Sequence, residues 1–177
     1  MSNQAAPMTS TLVHCICGPI AAGKTTLARE LAEATGGVRF AIDEWMHTLF
    51  GPDRPESMQM GWVVPRLARC HQMIETVMQQ VLARGRDVII EPGLMTFGER
   101  ESFRARMRDA GHVVRMHFVD APRDIRLARL AQRNRERGET FSFEVTPAIF
   151  EFMEARFEPP RPGECDQGHG STPSIGA

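Results

Sequence analysis

Residues 18–25, Gly-Pro-Ile-Ala-Ala-Gly-Lys-Thr, fit the pattern G-x-x-x-x-G-K-[ST] and directly follow an apolar run at 12–17. This stretch dictates a strand, a tight loop and a helix in that order. Glycine permits a turn sharp enough for backbone N–H groups to face phosphate oxygens, the lysine reaches the outer phosphates, and the threonine hydroxyl can ligate magnesium. Leu27, Ala28, Leu31 and Ala32 follow at helical spacing, so the loop opens a helix whose N-terminus favours anions. Gly18, Ala21, Ala22, Gly23, Lys24, Thr25 and Thr26 are therefore the candidate nucleotide-binding residues. The alternative is a mere strand-to-helix turn.

At 177 residues, with 42% apolar and 24% charged, the chain reads as one globular domain with a well-buried core. A net charge of −1 gives no global attraction to nucleic acid, so such binding would need a local basic patch. Four cysteines do not make a disulfide framework: Cys15 and Cys17 share one face of the first strand, Cys70 sits in a helical pattern and Cys165 in a tail. This usage predicts a reduced, cytoplasmic protein, with Cys15 and Cys17 as small core residues rather than metal ligands. Residues 1–10 lack the pattern of a signal peptide, and no run of about eighteen apolar residues occurs, so neither export nor membrane spanning is predicted.

Strand and helix signals alternate along the chain. A second short strand is expected at 38–42, ending at Asp43-Glu44, with a loop or short helix at 45–50 and a breaker cluster at 51–55. A long helical pattern covers 60–84, an apolar strand 87–91, a helix 97–110, a strand 113–119 and an arginine-rich helix from Pro122. A linker at 138–146 precedes a last helix from Pro147 to about 157. The expected divisions are a flexible start at 1–10, a domain at 11–158 with a lid at about 122–146, and a flexible tail at 159–177. The alternation predicts a three-layer α/β sandwich around a parallel sheet, with the site at the carboxyl ends of the strands. Asp43, Glu91 and Asp120 each end a predicted strand and so share the loop's edge.

Phosphoryl transfer needs an acceptor-activating group and cations around the moving phosphoryl group. Asp43 is the candidate base, since a carboxylate there can orient a hydroxyl and take its proton. Its alternatives are a helix cap, or Glu44 as the base. Glu91 is the candidate for the magnesium shell, where aspartate is more usual, with capping or substrate contact as the other reading. Asp120 is expected to fix the start of the arginine-rich helix.

Arg126, Arg129, Arg133 and Arg137 fall on one helical stripe, with Leu127, Leu130 and Ala131 as expected anchors. A cationic stripe beside a phosphate loop suits a lid that clamps polyphosphate, which adds Arg129 to the nucleotide-binding candidates. A solvated helix face and a nucleic-acid patch are the alternatives. Trp45, Trp62 and Phe50 are read first as core and second as substrate contacts. His14, His112 and His117 are read as structural.

The loop at 18–26, Ile42-Asp43-Glu44-Trp45 and Arg133-Asn134-x-x-Arg137-Gly138 followed by Pro147 resemble the small P-loop kinases. Within them the chain resembles the bacterial predicted kinases related to the phage polynucleotide kinase domain, chloramphenicol phosphotransferase and zeta toxin, over roughly residues 12–157. The resemblance implies ATP and magnesium as cofactors, phosphate and magnesium contacts for Lys24 and Thr25, Asp43 as the general base, and Arg133 and Arg137 as lid arginines. With Lys24 they form the catalytic set; Thr25 and Glu91 form the metal set. The family's sheet order is 2-3-1-4-5. Because 164–177 is polar and rich in glycine, the sequence supports only 2-3-1-4 and leaves the fifth strand doubtful. The expected activity is transfer of the ATP γ-phosphate to a hydroxyl of a small molecule. A polynucleotide 5′-hydroxyl acceptor and a non-catalytic ATP-binding switch are the alternatives.

Overall fold

A computed structural model describes residues 11–55, 59–136 and 144–170. Its five strands, β1 (Leu12–Cys17), β2 (Val38–Ala41), β3 (Val88–Glu91), β4 (Val113–Asp120) and β5 (Gln167–Gly170), form one sheet in the order β2-β3-β1-β4-β5. All neighbouring pairs are parallel. Parallel pairing requires a crossover between successive strands, and helices supply it. They are α1 (Lys24–Thr35), α2 (Ile42–Phe50), α3 (Met60–Leu82), α4 (Phe97–Asp109), α5 (Arg123–Glu136) and α6 (Pro147–Arg156).

Alternation along β1 builds two cores. Val13, Cys15 and Cys17 turn to one face, where Cys70, Ile74, Met78 and Leu82 of α3 meet Phe103 and Met107 of α4. The α3 residues recur every fourth position, so one stripe of the helix is buried. Ile16 turns to the other face with Ile89 and Val119, covered by Leu27, Ala28 and Leu31 of α1. The result is the expected three-layer sandwich. All four cysteines are free, and burial pushes the Cys17 thiol up to about 12. Among the described residues no helix is long and apolar enough to cross a membrane.

Two expectations are corrected. β2 ends at Ala41, so Asp43 is the second residue of α2 rather than the end of a strand. Ala41 keeps extended angles and helical geometry starts at Ile42, which puts Asp43 and Glu44 in a first turn, where acidic side chains favour the helix dipole. The second correction is the fifth strand. His117 to Asp120 pair in parallel with Gln167 to Gly170, and this strand is held by backbone bonds and charge rather than by an apolar pattern. The Met116 N–H donates to Asp166 Oδ2 at 2.8 Å, and the Asp166 N–H returns a bond to the Met116 carbonyl at 3.0 Å. Upstream, Glu164 forms a buried ion pair with Arg100, which is 0% exposed on α4. The Glu158 carboxylate accepts from the Phe97 N–H at 2.8 Å. Residues 158–170 thus belong to the folded domain, while 171–177 and 1–10 lie outside the described residues.

Glu164→Ala would leave the Arg100 guanidinium buried without a counterion and is expected to destabilise the fold by about 3–5 kcal/mol. Denaturant unfolding should show that loss, together with faster hydrogen exchange of the β5 amides. A second prediction concerns pH. His14 on β1 is buried, with Nδ1 3.0 Å from Nε2 of His117 and no hydrogen bond at its own Nε2. Burial holds its pKa below the ordinary 6.5, against the opposing pull of Asp87. Between that lowered value and 6.5 the unfolded chain carries a proton that the native protein lacks, so stability falls as the pH drops through this window. Unfolding measured at several pH values should show this slope, and His14→Asn should flatten it.

Candidate active site

Gly18 and Gly23 shape the loop between β1 and α1. At Gly18, with φ 153°, a Cβ would lie 2.0 Å from the Val119 carbonyl oxygen, so β4 comes too close for any side chain. Gly23 takes φ 109° and ψ 19°, a left-handed conformation from which α1 starts. Ala21 also has a positive φ, 59°. The Lys24 ammonium arches back over the loop and donates to the carbonyls of Gly18 at 2.9 Å and Pro19 at 2.8 Å. An ammonium has three N–H donors, which leaves one for a phosphate oxygen. Burial pulls the Lys24 pKa below the usual lysine value, and the charges of Asp43 and Glu91 oppose that pull.

Glu91, at the carboxyl end of β3 and only 7% exposed, reaches this loop directly. Its Oε2 accepts from the Thr25 hydroxyl at 2.8 Å. Its Oε1 accepts from Arg39 Nη1 at 2.9 Å, while Arg39 Nη2 bonds Glu44 at 2.6 and 2.7 Å. Burial raises the Glu91 pKa above the ordinary carboxyl value, partly offset by the bonds from Thr25 and Arg39. Sequence reasoning missed Arg39. Its signal was present: a lone arginine inside a short apolar strand needs a buried anion, and an acidic pair follows within five residues. Glu44, weighed there as a base, is occupied by Arg39.

The arginine-rich helix α5 divides its cations between structure and site. Arg126 is buried; its Nε donates to the Ala121 carbonyl at 2.9 Å and its Nη2 to Glu154 of α6 at 2.7 Å. Its Nη1 reaches the Ile20 carbonyl at 3.4 Å, so it holds the loop against α6 and does not face a ligand. Arg129 Nη1 donates to the carbonyls of Ala21 and Ala22 at 3.3 and 3.1 Å. It braces the loop from behind. Leu130 is the buried anchor of α5, packed with Val145 and Phe150, whereas Leu127 is 40% exposed and Ala131 is exposed. The anchoring expected of Leu127 and Ala131 is thereby corrected: Arg126 and its carboxylate partner take that side of the helix.

Arg133 differs from both. Its Nε is buried with no hydrogen-bond partner, burial lowers its pKa, and Asp43 is near enough to counter that shift. Asp43 therefore acts electrostatically on both Lys24 and Arg133, and its own side chain is exposed. Asn134 donates from Nδ2 to the Val145 carbonyl at 2.9 Å and accepts from the Val145 N–H at 3.2 Å. Arg137 lies outside the described residues. Asp120 accepts from the N–H of Ala121 at 2.8 Å, at the start of the α5 connection.

The Cα trace and this constellation can be set beside known proteins. A family model described as AAA domain matches residues 13–160. The chain belongs to this AAA domain family. A search of curated proteins gives no match. Among solved structures, a candidate kinase from Chloroflexus aurantiacus j-10-fl aligns with a TM-score of 0.68 at 21% identity, over 92% of this chain and 87% of that one. Kti12 of Chaetomium thermophilum, solved with ADP-AlF3, gives 0.62 at 15% identity over 90% and 88%. The Mycobacterium tuberculosis APS kinase CysC, solved with AMPPNP and APS, gives 0.59 at 16% identity over 94% and 91%. At these identities the likeness establishes the fold of the small P-loop kinases for this family member.

The tight approach at Gly18 yields a direct check. Gly18→Ala must push Val119 or the loop aside and is expected to weaken ATP binding at least about tenfold, because misplaced backbone N–H groups lose charge-assisted bonds to phosphate. Calorimetric titration with ATP, alongside circular dichroism to confirm folding, measures it.

Proposed function

We propose that this protein is an ATP-dependent phosphotransferase whose acceptor is a hydroxyl group of a small molecule. The observation that carries this reading is the meeting, at one sheet edge, of Lys24, the Thr25–Glu91 pair, and Arg133 with its unpartnered Nε, with Asp43 acting on both cations. A protein that only holds nucleotide needs the loop. It does not need a carboxylate in an exposed first helical turn whose charge acts on both cations.

In this proposal the loop N–H groups and the first turn of α1 hold the β- and γ-phosphates, with Lys24 neutralising charge on the outer oxygens. Asp43 orients the acceptor hydroxyl and takes its proton as the new O–P bond forms and the bond to the bridging oxygen of ADP breaks. Arg133 donates to the equatorial oxygens as charge spreads onto them, and Arg137 is assigned the same role from the sequence alone. Arg129 acts through the loop as a positioning residue. Thr25 and Glu91 are hard oxygen donors joined to one another, a set that fits magnesium. Bound there, the ion would supply charge neutralisation between the β- and γ-phosphates. Four free thiols support a reducing compartment, the cytoplasm, as its location.

Screening ADP release against a panel of hydroxyl compounds should reveal an acceptor that stimulates turnover. With that acceptor, Asp43→Asn is expected to lower kcat about 10²–10⁴-fold while ATP affinity stays within a few-fold, since only proton transfer and acceptor orientation are lost. Unchanged turnover in Asp43→Asn would remove the base assignment. ATP-dependent capture of a partner with no acceptor-stimulated turnover would replace the enzyme by a switch.

A further inference from the structure

Besides Arg133, a second arginine near this edge bonds no carboxylate among the described residues. Arg66, in the second turn of α3, lies with its guanidinium carbon 4.3 Å from the centre of the Trp62 ring and 5.6 Å from that of Phe50. Its Nη1 donates to the Trp62 carbonyl at 3.0 Å, and its Nε is buried with no hydrogen-bond partner. Among the described residues, Arg39, Arg100 and Arg126 each hold a carboxylate, whereas Arg129 bonds only loop carbonyls and Arg133 Nε has no partner. Arg66 holds two π faces and one backbone carbonyl. Aromatic stacking fixes the plane of the guanidinium and leaves its edge to bind, which suits a planar or tetrahedral oxyanion.

The topology sets Arg66 on the ligand side of the sheet. His71 Nε2 donates to the carbonyl of Pro92 at 2.9 Å, which fixes the level of α3 one residue beyond the end of β3. Arg66 precedes His71 by five residues, so along α3 it stands about 7 Å farther out, above the carboxyl edge of the sheet. Phe50 provides the second link. It follows Asp43 by seven residues on α2, which puts the two on the same face, about 10 Å apart along the helix axis. Asp43 and Arg66 therefore bracket one strip of α2, of the span of a small metabolite.

We propose that Arg66 is the specificity-determining residue of the acceptor site, and that the acceptor is a small hydroxyl compound carrying an oxyanion, phosphate or carboxylate, at the end remote from the hydroxyl that is phosphorylated. The inference rests on the phosphotransferase reading above. With Arg133 assigned to the γ-phosphate and Arg129 bonded to the loop, Arg66 is left as one cation for one oxyanion, whereas a polynucleotide backbone needs a row of them.

Two measurements test it on the full chain. In the first, acceptors are compared in matched pairs, a neutral sugar or nucleoside against its carboxylate or 3′-phosphate counterpart, with ADP release as readout. The anionic member should be preferred, and Arg66→Gln should lower the anionic-to-neutral ratio of kcat/KM about 10–100-fold, the cost of losing a charge-assisted bond. Arg66→Lys should recover part of that ratio. A purely structural role would depress both members together and leave the ratio unmoved, which would overturn the proposal. Preference for a long oligonucleotide over both members would do the same.

The second measurement needs no turnover. With saturating magnesium and ADP on the loop, calorimetric titration with inorganic phosphate should detect a site that weakens at least about tenfold in Arg66→Gln. Equal affinity in parent and variant overturns the proposal. If phosphate binding depends on Arg66 while no acceptor of the panel drives ADP release, the anion site stands and the phosphotransferase reading is the one that fails.

Discussion

The hydrogen bond from Thr25 to Glu91 joins the first residues of α1 to the end of β3, and the geometry of the whole edge follows from that join. A buried carboxylate is costly unless its oxygens are bonded, and both of Glu91's are, one to the phosphate loop and one to Arg39 of β2. Three neighbouring segments, β2, β3 and the loop after β1, are thereby locked in register at the ends from which ligand groups project. The same arginine reaches Glu44 in the first turn of α2, so the helix that carries Asp43 is tied to the loop through a continuous chain of charge-assisted bonds.

A second set of contacts supports the loop from the opposite side. Arg126 and Arg129 bond to the carbonyls of Ile20, Ala21 and Ala22, and Arg126 carries the link on to Glu154 of α6. The loop carbonyls at 20–22 are engaged by these arginines, and those of Gly18 and Pro19 by Lys24. Such bracing preorganises the donors and spares the cost of ordering them when a phosphate arrives. Arg133, two turns from Arg126, has no such duty and retains an unpartnered donor. Within one helix, then, depth in the structure separates cations that hold the loop from one suited to a ligand.

The succession of strands and helices was legible because it follows from local patterns, apolar runs, glycine stops and helical spacing between them, whereas the spatial order of the strands was implied only by the family resemblance. Helix boundaries at 60–82 and 97–109 fall close to those read from spacing, with Thr96 and Glu99 forming a reciprocal cap at the start of α4. The fifth strand was not legible, since Gln167–Gly170 has no apolar alternation; its place is set by Asp166 on Met116 and by the Arg100–Glu164 pair, contacts across some fifty and sixty residues. Trp62 was likewise read first as core, yet it serves as the platform beneath Arg66. Arg39 had a signal in its apolar strand, but Arg66 had none, because a lone arginine in a helical pattern does not say whether a carboxylate, a ring or nothing will face it.

By itself the sequence determined the strand, loop and helix around 18–25, the alternation that makes the sheet parallel, and the residue types that a polyphosphate requires. These are properties of short windows, where glycine, lysine and apolar spacing act within a few residues of one another. Only the tertiary structure decided which arginines are neutralised, that Glu91 is shared between Thr25 and Arg39, and that a glycine-rich polar segment completes the sheet. Each of those outcomes depends on desolvation and on partners distant in the chain, and both are set by packing rather than by neighbours in sequence.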